Sequence, residues 1–249
     1  MPARLKVIVA YNGTPFSGWQ SQADRNAVQD HLETAFAQIC GERVRVHGAG
    51  RTDAGVHALA QCAHVDLSVR RYDAGRWMSA LNGVLPPAIR IMRAGFASPS
   101  FHARFSAKGK LYRYRIWNQE VLPPLESGRA WHVRDHLECK AMQTAADRLL
   151  GRHDFRSFAA NRGSIVKDAH RTVLKTRVRR LGALVTIEVE ADGFLYKMVR
   201  MIVGALVRVG LGISSPGEIE DRLGDSERSI SGPRTAAPAC GLFLVRVRY

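Results

Sequence analysis

The sequence predicts an α+β fold built from two split-βαβ units, the ferredoxin-like or RRM-like arrangement, with mainly antiparallel sheets. Short segments rich in Val and Ile alternate with longer segments in which apolar residues recur at helical spacing. The resulting order, β-α-β-β-α-β, occurs in each half of the chain. With 249 residues, the chain is long enough for one large or two ordinary domains. We expect an N-terminal domain over residues 1–97 and a C-terminal domain over residues 98–249, packed around a basic cleft.

The first half contains four predicted strands and two predicted helices. An apolar segment that ends at Asn12-Gly13 indicates a buried strand and a turn. The first helix is amphipathic, with Asn26 as its expected cap and Gly41 just past its end. The second helix is expected to start near Asp73 and to stop at Pro86. In chain order, the predictions are strand 4–11, helix 26–39, strand 43–47, a strand over 59–67 with Leu59 on its buried face, helix 73–85 with Val84 on its apolar side, and strand 88–96.

The second half repeats this order with one extra short helix. Residues 98–110 have no strong period and are the predicted linker. Residues 226–239 are rich in Ser, Pro and Ala and are predicted to be a loop that delivers the last strand. The predicted elements are strand 111–117, helix 138–150, strands 171–181 and 183–191, helix 194–209, helix 216–223 and strand 242–249.

The charge balance points to a polyanionic partner. The chain has 37 Lys and Arg against 22 Asp and Glu, which gives a formal charge of +15. Each phosphate contact releases counterions and adds affinity without reading sequence, so nucleic acid is the leading partner. The alternative is a basic surface that serves solubility alone. The ordinary globular composition excludes disordered and collagen-like chains.

Nothing in the sequence predicts secretion or membrane insertion. The first twenty residues hold too short an apolar run for a signal peptide, so we expect a cytoplasmic protein. The most apolar stretch, residues 198–212, is interrupted by Arg200 and Arg208 and is not expected to span a bilayer. The four cysteines form no Cys-x-x-Cys pair, and His47, His57 and His64 lack ligand spacing, so no metal site is expected.

The densest cluster of chemically capable residues is the segment GAGRTDAGVH, residues 48–57. Three glycines within it allow the backbone to approach another molecule closely. The same segment presents Arg51 and Asp53 two residues apart. Two interpretations are open: a site that acts through Asp53, or a tight connection between strands in which Asp53 caps its own turn.

Six segments of the sequence form an ordered series. The longest specific run is AGRTDAGVHA. The others, in chain order, are YNGTPFSGWQ (11–20), FHARFSAKGKLYRYRI (101–116), HDFRSF (153–158), GFLYKMVRMIVG (193–204) and GLFLVRVRY (241–249). Together they resemble the tRNA pseudouridine synthases of the TruA type over essentially the whole chain. This resemblance implies an isomerase that converts uridine to pseudouridine in the anticodon arm of tRNA.

The resemblance also implies residue roles. Asp53 matches the aspartate that starts cleavage of the N-glycosidic bond by covalent attack. Tyr112 matches a tyrosine that packs against the target base, and Arg200 matches an arginine that pairs with the catalytic carboxylate. Arg51 matches a residue that holds the target nucleotide out of its helix, and Leu242 matches an apolar residue of the base pocket. The resemblance further implies a homodimer that cradles tRNA, without a metal or organic cofactor.

General chemistry agrees with the pairing of Asp53 and Arg200. Desolvation in a sheltered pocket raises the pKa of a carboxyl group, and an opposing guanidinium lowers it again. On a helix that starts at Phe194, Arg200 shares a stripe with Gly204 and Arg208, so it can point into a site while apolar neighbours cover the core. The alternative is a plain surface arginine.

Strand 111–117 is the predicted tRNA-binding strand. Alternation sends Tyr112 and Tyr114 to one face and Arg113 and Arg115 to the other, so that one face can stack bases while the other meets phosphates or solvent. A half-buried sheet face with satisfied hydroxyls is the alternative. The predicted tRNA-binding residues, besides Arg51 and Leu242, are Tyr114, Arg113, Lys110 and Lys108.

Two other functions remain open at this point. A non-catalytic RNA-binding protein with two RRM-like sheets accounts for the charge and the aromatic strand, but it does not need Asp53. A nucleoside hydrolase needs two carboxylates, and residues 48–55 contain only one. The same loop lacks the Lys-Ser/Thr of a phosphate-binding P-loop, so a nucleotide cofactor is not expected.

Overall fold

The computed structural model of the chain describes residues 3–160, 168–224 and 236–249. Within these ranges the chain forms ten strands and five α-helices. They group into two compact units, Met1–Lys108 with Phe243–Tyr249, and Gly109–Leu242. The predicted α+β class with mainly antiparallel sheets is confirmed. The predicted domain boundary after residue 97 stays a prediction.

The regular elements follow one another in an order close to the predicted one. In chain order they are β1 (Ala3–Tyr11), α1 (Val28–Cys40), β2 (Val46–Gly48), β3 (His57–Leu67), α2 (Ala74–Val84), β4 (Ile89–Ala97), β5 (Gly109–Trp117), β6 (Trp131–His132), α3 (Cys139–Asp147), β7 (Gly151–Asp154), β8 (His170–Leu181), β9 (Leu184–Ala191), α4 (Met198–Gly210), α5 (Gly217–Gly224) and β10 (Leu242–Arg248).

The first unit is a split-βαβ sheet in the order β4-β1-β3-β2, with all of these pairs antiparallel. Strand β10 joins the start of β3 in parallel, with Phe243 opposite His57. Every second residue of β1 is buried, as the alternation of a strand with one buried face requires. Helices α1 and α2 contribute the fully buried side chains of Phe36 and Trp77, whose ring centroids are 5.6 Å apart. This unit carries the GAGRTDAGVH segment between β2 and β3.

Several predictions for the first unit need correction. Helix α1 is capped at Ala27, whose N–H donates to the Asp30 carboxylate at 3.0 Å. Asn26 is not the cap, because its side chain donates to the Pro15 carbonyl at 2.8 Å. The strand predicted over 43–47 lies at Val46–Gly48 instead. Leu59 and Val84, predicted on apolar faces, are both exposed. The predicted ends of the helices at Gly41 and Pro86 are confirmed.

The second unit has its strands in the order β6-β5-β9-β8-β7. The pair β5–β6 is parallel, and the other three pairs are antiparallel. Strands β6 and β7 were not among the predicted elements, since they span only two and four residues. Helix α3 ends at Asp147 rather than Leu150. Most of the loop predicted over 226–239 lies outside the described residues.

Helix α4 begins at Met198, four residues later than predicted. Lys197 directly before it has a left-handed backbone with φ +58°, which interrupts a right-handed helix. The Tyr196 carbonyl accepts a hydrogen bond from Ala160 N–H at 3.1 Å, and the Phe194 ring packs edge-on against Tyr112. Tertiary contacts therefore hold residues 194–197 outside the helix although their sequence continues its apolar pattern.

Candidate active site

The Asp53 loop, defined as residues 49–56, connects β2 to β3 in the first unit. Its base is fixed by Ala49 N–H, which donates to the Cys62 carbonyl at 2.8 Å. The Gln61 side chain donates to the Gly50 carbonyl, also at 2.8 Å. At the far end, Val56 N–H donates to the Asp53 carbonyl at 3.1 Å. The loop thus has two hydrogen bonds to β3 at its base, and it leaves Asp53 half-buried and Arg51 exposed.

The support segment, defined as residues 11–19, holds the Asp53 loop from the side. Trp19 N–H donates to the Thr52 carbonyl at 3.0 Å, and the hydroxyls of Tyr11 and Thr52 are 2.9 Å apart. Gly13 N–H donates to Nδ1 of His57 at 3.0 Å. These three hydrogen bonds attach the chain on both sides of Asp53. A carboxylate in a loop without regular structure thereby obtains a fixed backbone.

Two glycines allow this close approach. A Cβ atom on Gly13 would lie 2.0 Å from the Val56 carbonyl oxygen. Gly18 has φ +103°, and a Cβ there would lie 2.6 Å from the Thr52 carbonyl oxygen. Only a residue without a side chain fits such contacts with backbone atoms. Sequence reasoning gave no site role to this segment, although the two glycines of YNGTPFSGWQ are the signal that could have identified it.

In the second unit, the predicted tRNA-binding strand is β5. Tyr112 and Tyr114 are both buried, and the Tyr114 hydroxyl donates to the Pro238 carbonyl at 2.7 Å. Burial raises the pKa of Tyr114 well above its usual range, so this hydroxyl stays protonated. Arg113 donates to the Glu188 carboxylate from two nitrogens, at 2.9 and 2.7 Å. The tRNA-binding roles of Tyr114 and Arg113, together with those of half-buried Lys110 and exposed Lys108, stay predictions.

Arg200 lies on the less buried side of helix α4. Eleven of the thirteen residues of α4 are buried, and the two exceptions are Arg200 and Arg208. Nε of Arg200 donates to the Ala237 carbonyl at 2.7 Å, and Ala237 N–H donates back to the Arg200 carbonyl at 3.0 Å. The segment that follows Ala237 leads to Leu242, which is buried. Asp53 belongs to the first unit and Arg200 to the second, so their pairing stays a prediction.

Three histidines of the first unit form a cluster at the base of the Asp53 loop. The rings of His47 and His64 stack with centroids 5.0 Å apart, and the His102 ring packs edge-on against His64 at 4.7 Å. Nδ1 of His64 accepts a hydrogen bond from Ala103 N–H at 3.1 Å. Burial and the nearby Arg4 charge lower the pKa of His64 to about 4. The described part of the chain contains no group of three or more His, Cys, Asp or Glu residues that could hold a metal ion.

Membrane insertion finds no support in the described helices. None of the helices within residues 3–160, 168–224 and 236–249 is long and apolar enough to cross a bilayer.

Comparison with known proteins identifies the family. The profile of the tRNA pseudouridine synthases matches residues 7–106 and 145–249. This protein belongs to the tRNA pseudouridine synthase family. It is 43% identical over 244 residues to the tRNA pseudouridine synthase A of Methylacidiphilum infernorum, a match that covers 98% of this chain and 94% of the relative. It is also 43% identical over 247 residues to the enzyme of the same name from Xanthobacter autotrophicus, with 99% of each chain covered.

Membership of the pseudouridine synthase family decides between the functions that the sequence left open. The predicted family and the predicted enzyme class, an isomerase that converts uridine to pseudouridine in tRNA, are confirmed. The family does not favour the alternative of a non-catalytic protein with RRM-like sheets.

Proposed function

We propose that this protein isomerises uridine to pseudouridine in the anticodon arm of tRNA, with Asp53 as the nucleophile. The observation that carries this proposal is the Asp53 loop, in which hydrogen bonds fix the backbone on both sides of a half-buried carboxylate. Five of the six segments that carry the resemblance lie within the regions that the family profile matches, and the sixth, residues 101–116, lies partly within them. The anticodon arm comes from the resemblance of those segments to the TruA type.

The proposed reaction is an isomerisation, so the atomic composition of the nucleotide does not change. The Asp53 carboxylate attacks the sugar or the base of the target uridine, and the bond between C1′ and N1 breaks. The uracil then turns so that C5 faces C1′, and a C1′–C5 bond forms. C5 loses its proton, N1 gains one, and the aspartate is released as a carboxylate. The reaction needs no oxidant, reductant or added group.

The other predicted residues act on binding and orientation. We assign Arg200 to pair with the Asp53 carboxylate, since a planar guanidinium can bind both oxygens of a carboxylate. Tyr112 packs against the target base and is placed to handle the C5 proton, and Leu242 contributes an apolar wall. Arg51, which is exposed at the tip of the Asp53 loop, contacts the extruded nucleotide. Extrusion costs about a few kcal/mol of stacking energy, which contacts to the flanking backbone offset.

Affinity for tRNA is assigned to the basic surface. The formal charge of +15 supports many phosphate contacts, to which Lys108, Lys110 and Arg113 contribute. Tyr114 supports this strand from the buried side through its bond to Pro238. We further propose that the enzyme works as a homodimer in the cytoplasm, as the resemblance implies.

The substitution Asp53→Asn tests the nucleophile. It changes one atom and one charge, so we expect no detectable release of tritium from tRNA labelled at uridine C5, while tRNA affinity and folding are retained. The matched control is Asp66→Asn, which removes a carboxylate of the same unit that pairs with Arg4 at 2.7 Å. The control should keep wild-type turnover. Release close to the wild-type rate by Asp53→Asn would refute the assignment.

Mapping of the product tests the region of tRNA. Pseudouridine formed on an unmodified tRNA transcript should appear on the 3′ side of the anticodon stem and loop. A product elsewhere in the tRNA would contradict the proposed target, and release of free uracil would identify a hydrolase.

A further inference from the structure

We propose that Tyr11 and Thr52 are positioning residues that hold Asp53 in its reactive orientation through their buried hydrogen bond. The proposal rests on the proposed function, which makes Asp53 the nucleophile. Thr52 directly precedes Asp53, and its hydroxyl lies 2.9 Å from that of Tyr11. Neither side chain touches the reacting atoms in this assignment. Both act through the backbone that carries the nucleophile.

Thr52 is held at two points at once. Its carbonyl accepts from Trp19 N–H at 3.0 Å, which fixes the peptide that links Thr52 to Asp53. Its hydroxyl contact with Tyr11 fixes the side-chain rotamer and therefore the rotation of the Thr52 backbone. Both partners, Tyr11 and Trp19, belong to the support segment. This one segment therefore sets the orientation of the backbone at Asp53.

The residues after Asp53 are held by the same segment. Nδ1 of His57 accepts a hydrogen bond from Gly13 N–H at 3.0 Å, so His57 has its proton on Nε2. The His57 ring also stacks on Phe243, with centroids 4.5 Å apart. The loop is therefore fixed before and after Asp53.

Packing alone does not account for a buried pair of hydroxyls. Tyr11 is 4% exposed and Thr52 is 7% exposed. Phe and Val fill nearly the same volume, and replacement of both partners of a buried hydrogen bond by apolar groups is nearly neutral for stability. Burial raises the pKa of Tyr11 well above its usual range, so its hydroxyl stays protonated. The hydrogen bond between the two hydroxyls is directional, so it can orient the backbone that carries the proposed nucleophile. Packing of the core does not require this orientation.

The size of the expected effect follows from orientation. Displacement of a reacting group by about 1 Å costs on the order of 100-fold in rate, and loss of one hydrogen bond allows a smaller displacement. We expect Tyr11→Phe and Thr52→Val each to lower the single-turnover rate about tenfold, with the Kd for tRNA within about twofold of wild type. The double variant should be no slower than the slower single variant, because Tyr11→Phe already removes the contact that Thr52→Val removes, together with the Tyr11 contact to Gln61.

Two further variants separate positioning from general damage. Thr52→Ser keeps the hydroxyl and should restore the rate to within about twofold of wild type. Tyr249→Phe is the matched control, because it removes a tyrosine hydroxyl of the same unit that donates to the Ala103 carbonyl at 2.6 Å. This control should not change the rate. If Tyr11→Phe fails to fold, the comparison of Thr52→Val with Thr52→Ser carries the test.

The outcomes distinguish this proposal from the proposed function. An inactive Asp53→Asn together with full-rate Thr52→Val and Tyr11→Phe overturns the positioning role and leaves the nucleophile in place. A parallel loss of rate in Thr52→Val, Thr52→Ser and Tyr249→Phe also overturns it, since that pattern reports general damage. An active Asp53→Asn refutes the proposed function itself. Slow Tyr11→Phe and Thr52→Val with normal Thr52→Ser supports both.

Discussion

The Asp53 loop and helix α4 position their proposed site residues, Asp53 and Arg200, by different physical means. The loop contains no helix or strand and is held by hydrogen bonds to residues 11–19 and to Gln61. Helix α4 is defined by its own backbone hydrogen bonds and by eleven buried residues, which leave Arg200 on its less buried side. The backbone of the Asp53 loop is therefore held by contacts with other segments, whereas the backbone of Arg200 is held by one helix and only its side chain by the later residue Ala237. Substitutions distant in sequence should disturb the loop far more than the helix.

The largest effect is expected for Gly13→Ala, which forces the support segment and the Asp53 loop apart. The new Cβ would lie 2.0 Å from the Val56 carbonyl oxygen, a backbone atom that has no rotamer to change. We expect a loss of at least about 3 kcal/mol in the free energy of unfolding, measured by denaturant titration. The control is Gly95→Ala in β4, where a Cβ meets no atom within 4 Å. Equal stability of the two variants would show that the support segment does not constrain the loop.

The substitution Arg200→Lys tests the proposed role of Arg200 on helix α4. Lysine retains the charge but lacks the planar fork, and it cannot reproduce the Nε contact with Ala237. We expect turnover to fall about 10- to 100-fold, with tRNA affinity within about twofold of wild type, as measured by tritium release and by binding titration. Arg208→Lys, at the other α4 residue that is not buried, should leave turnover unchanged. Indistinguishable turnover in the two variants would place Arg200 away from the site.

Low pH is expected to lower the free energy of unfolding through His64 at the base of the Asp53 loop, and not through helix α4. The charged and titratable groups that act on His64 are His47 from β2, Arg4 from β1, Asp66 from β3 and His102 from the linker. Because burial and Arg4 lower the pKa of His64 from 6.5 to about 4, the unfolded chain binds more protons between these values. The part of the folding stability that depends on a neutral His64 is complete above pH 6.5 and is lost as the pH falls through 4. We expect it to cost about 2 kcal/mol between pH 7.5 and 5.

Denaturant titrations at both pH values measure this cost. His64→Asn keeps an acceptor for Ala103 N–H but cannot be protonated in this range, so it should remove that part of the pH dependence. An unchanged pH dependence in His64→Asn would contradict the assignment to His64.

The smallest effect is expected at the start of α4. Lys197 has φ +58°, a conformation that is strained for residues with a side chain. Lys197→Gly should therefore raise the free energy of unfolding by about 0.5–1 kcal/mol, after the greater chain entropy of unfolded glycine is included. A thermal melt of Lys197→Gly beside Lys197→Ala measures this, since alanine keeps the strain. If alanine stabilises the protein as much as glycine does, backbone strain is not the cause.

The elements that the sequence predicted well are those with local signals. Strand β1 follows from its alternation, and α2 follows from its cap at Asp73, whose carboxylate accepts from Arg76 N–H, and from the prolines after it. The start of α4 was wrong because the Tyr196 carbonyl bonds to Ala160, thirty-six positions earlier in the chain. The cap of α1 was wrong because Asn26 bonds to Pro15 instead. No local pattern carries contacts of this kind.

The candidate site divides in the same way. Asp53 and Arg200 could be proposed from the sequence because each lies in a contiguous and specific motif. Tyr11 was missed as a site residue because its partner Thr52 is 41 positions away. The paired state of Arg113 with Glu188 was likewise hidden, because the register of β5 against β9 brings them together.

The sequence by itself determined the family, the order of most strands and helices, and the carboxylate on which the proposed chemistry depends. These features follow from short-range periodicity, caps and contiguous motifs. Only the tertiary structure decided that the support segment fixes the Asp53 loop and that three imidazoles meet at its base. The physical reason is that hydrogen bonds and ring contacts depend on distance in space, and a folded chain brings together residues that its sequence keeps far apart.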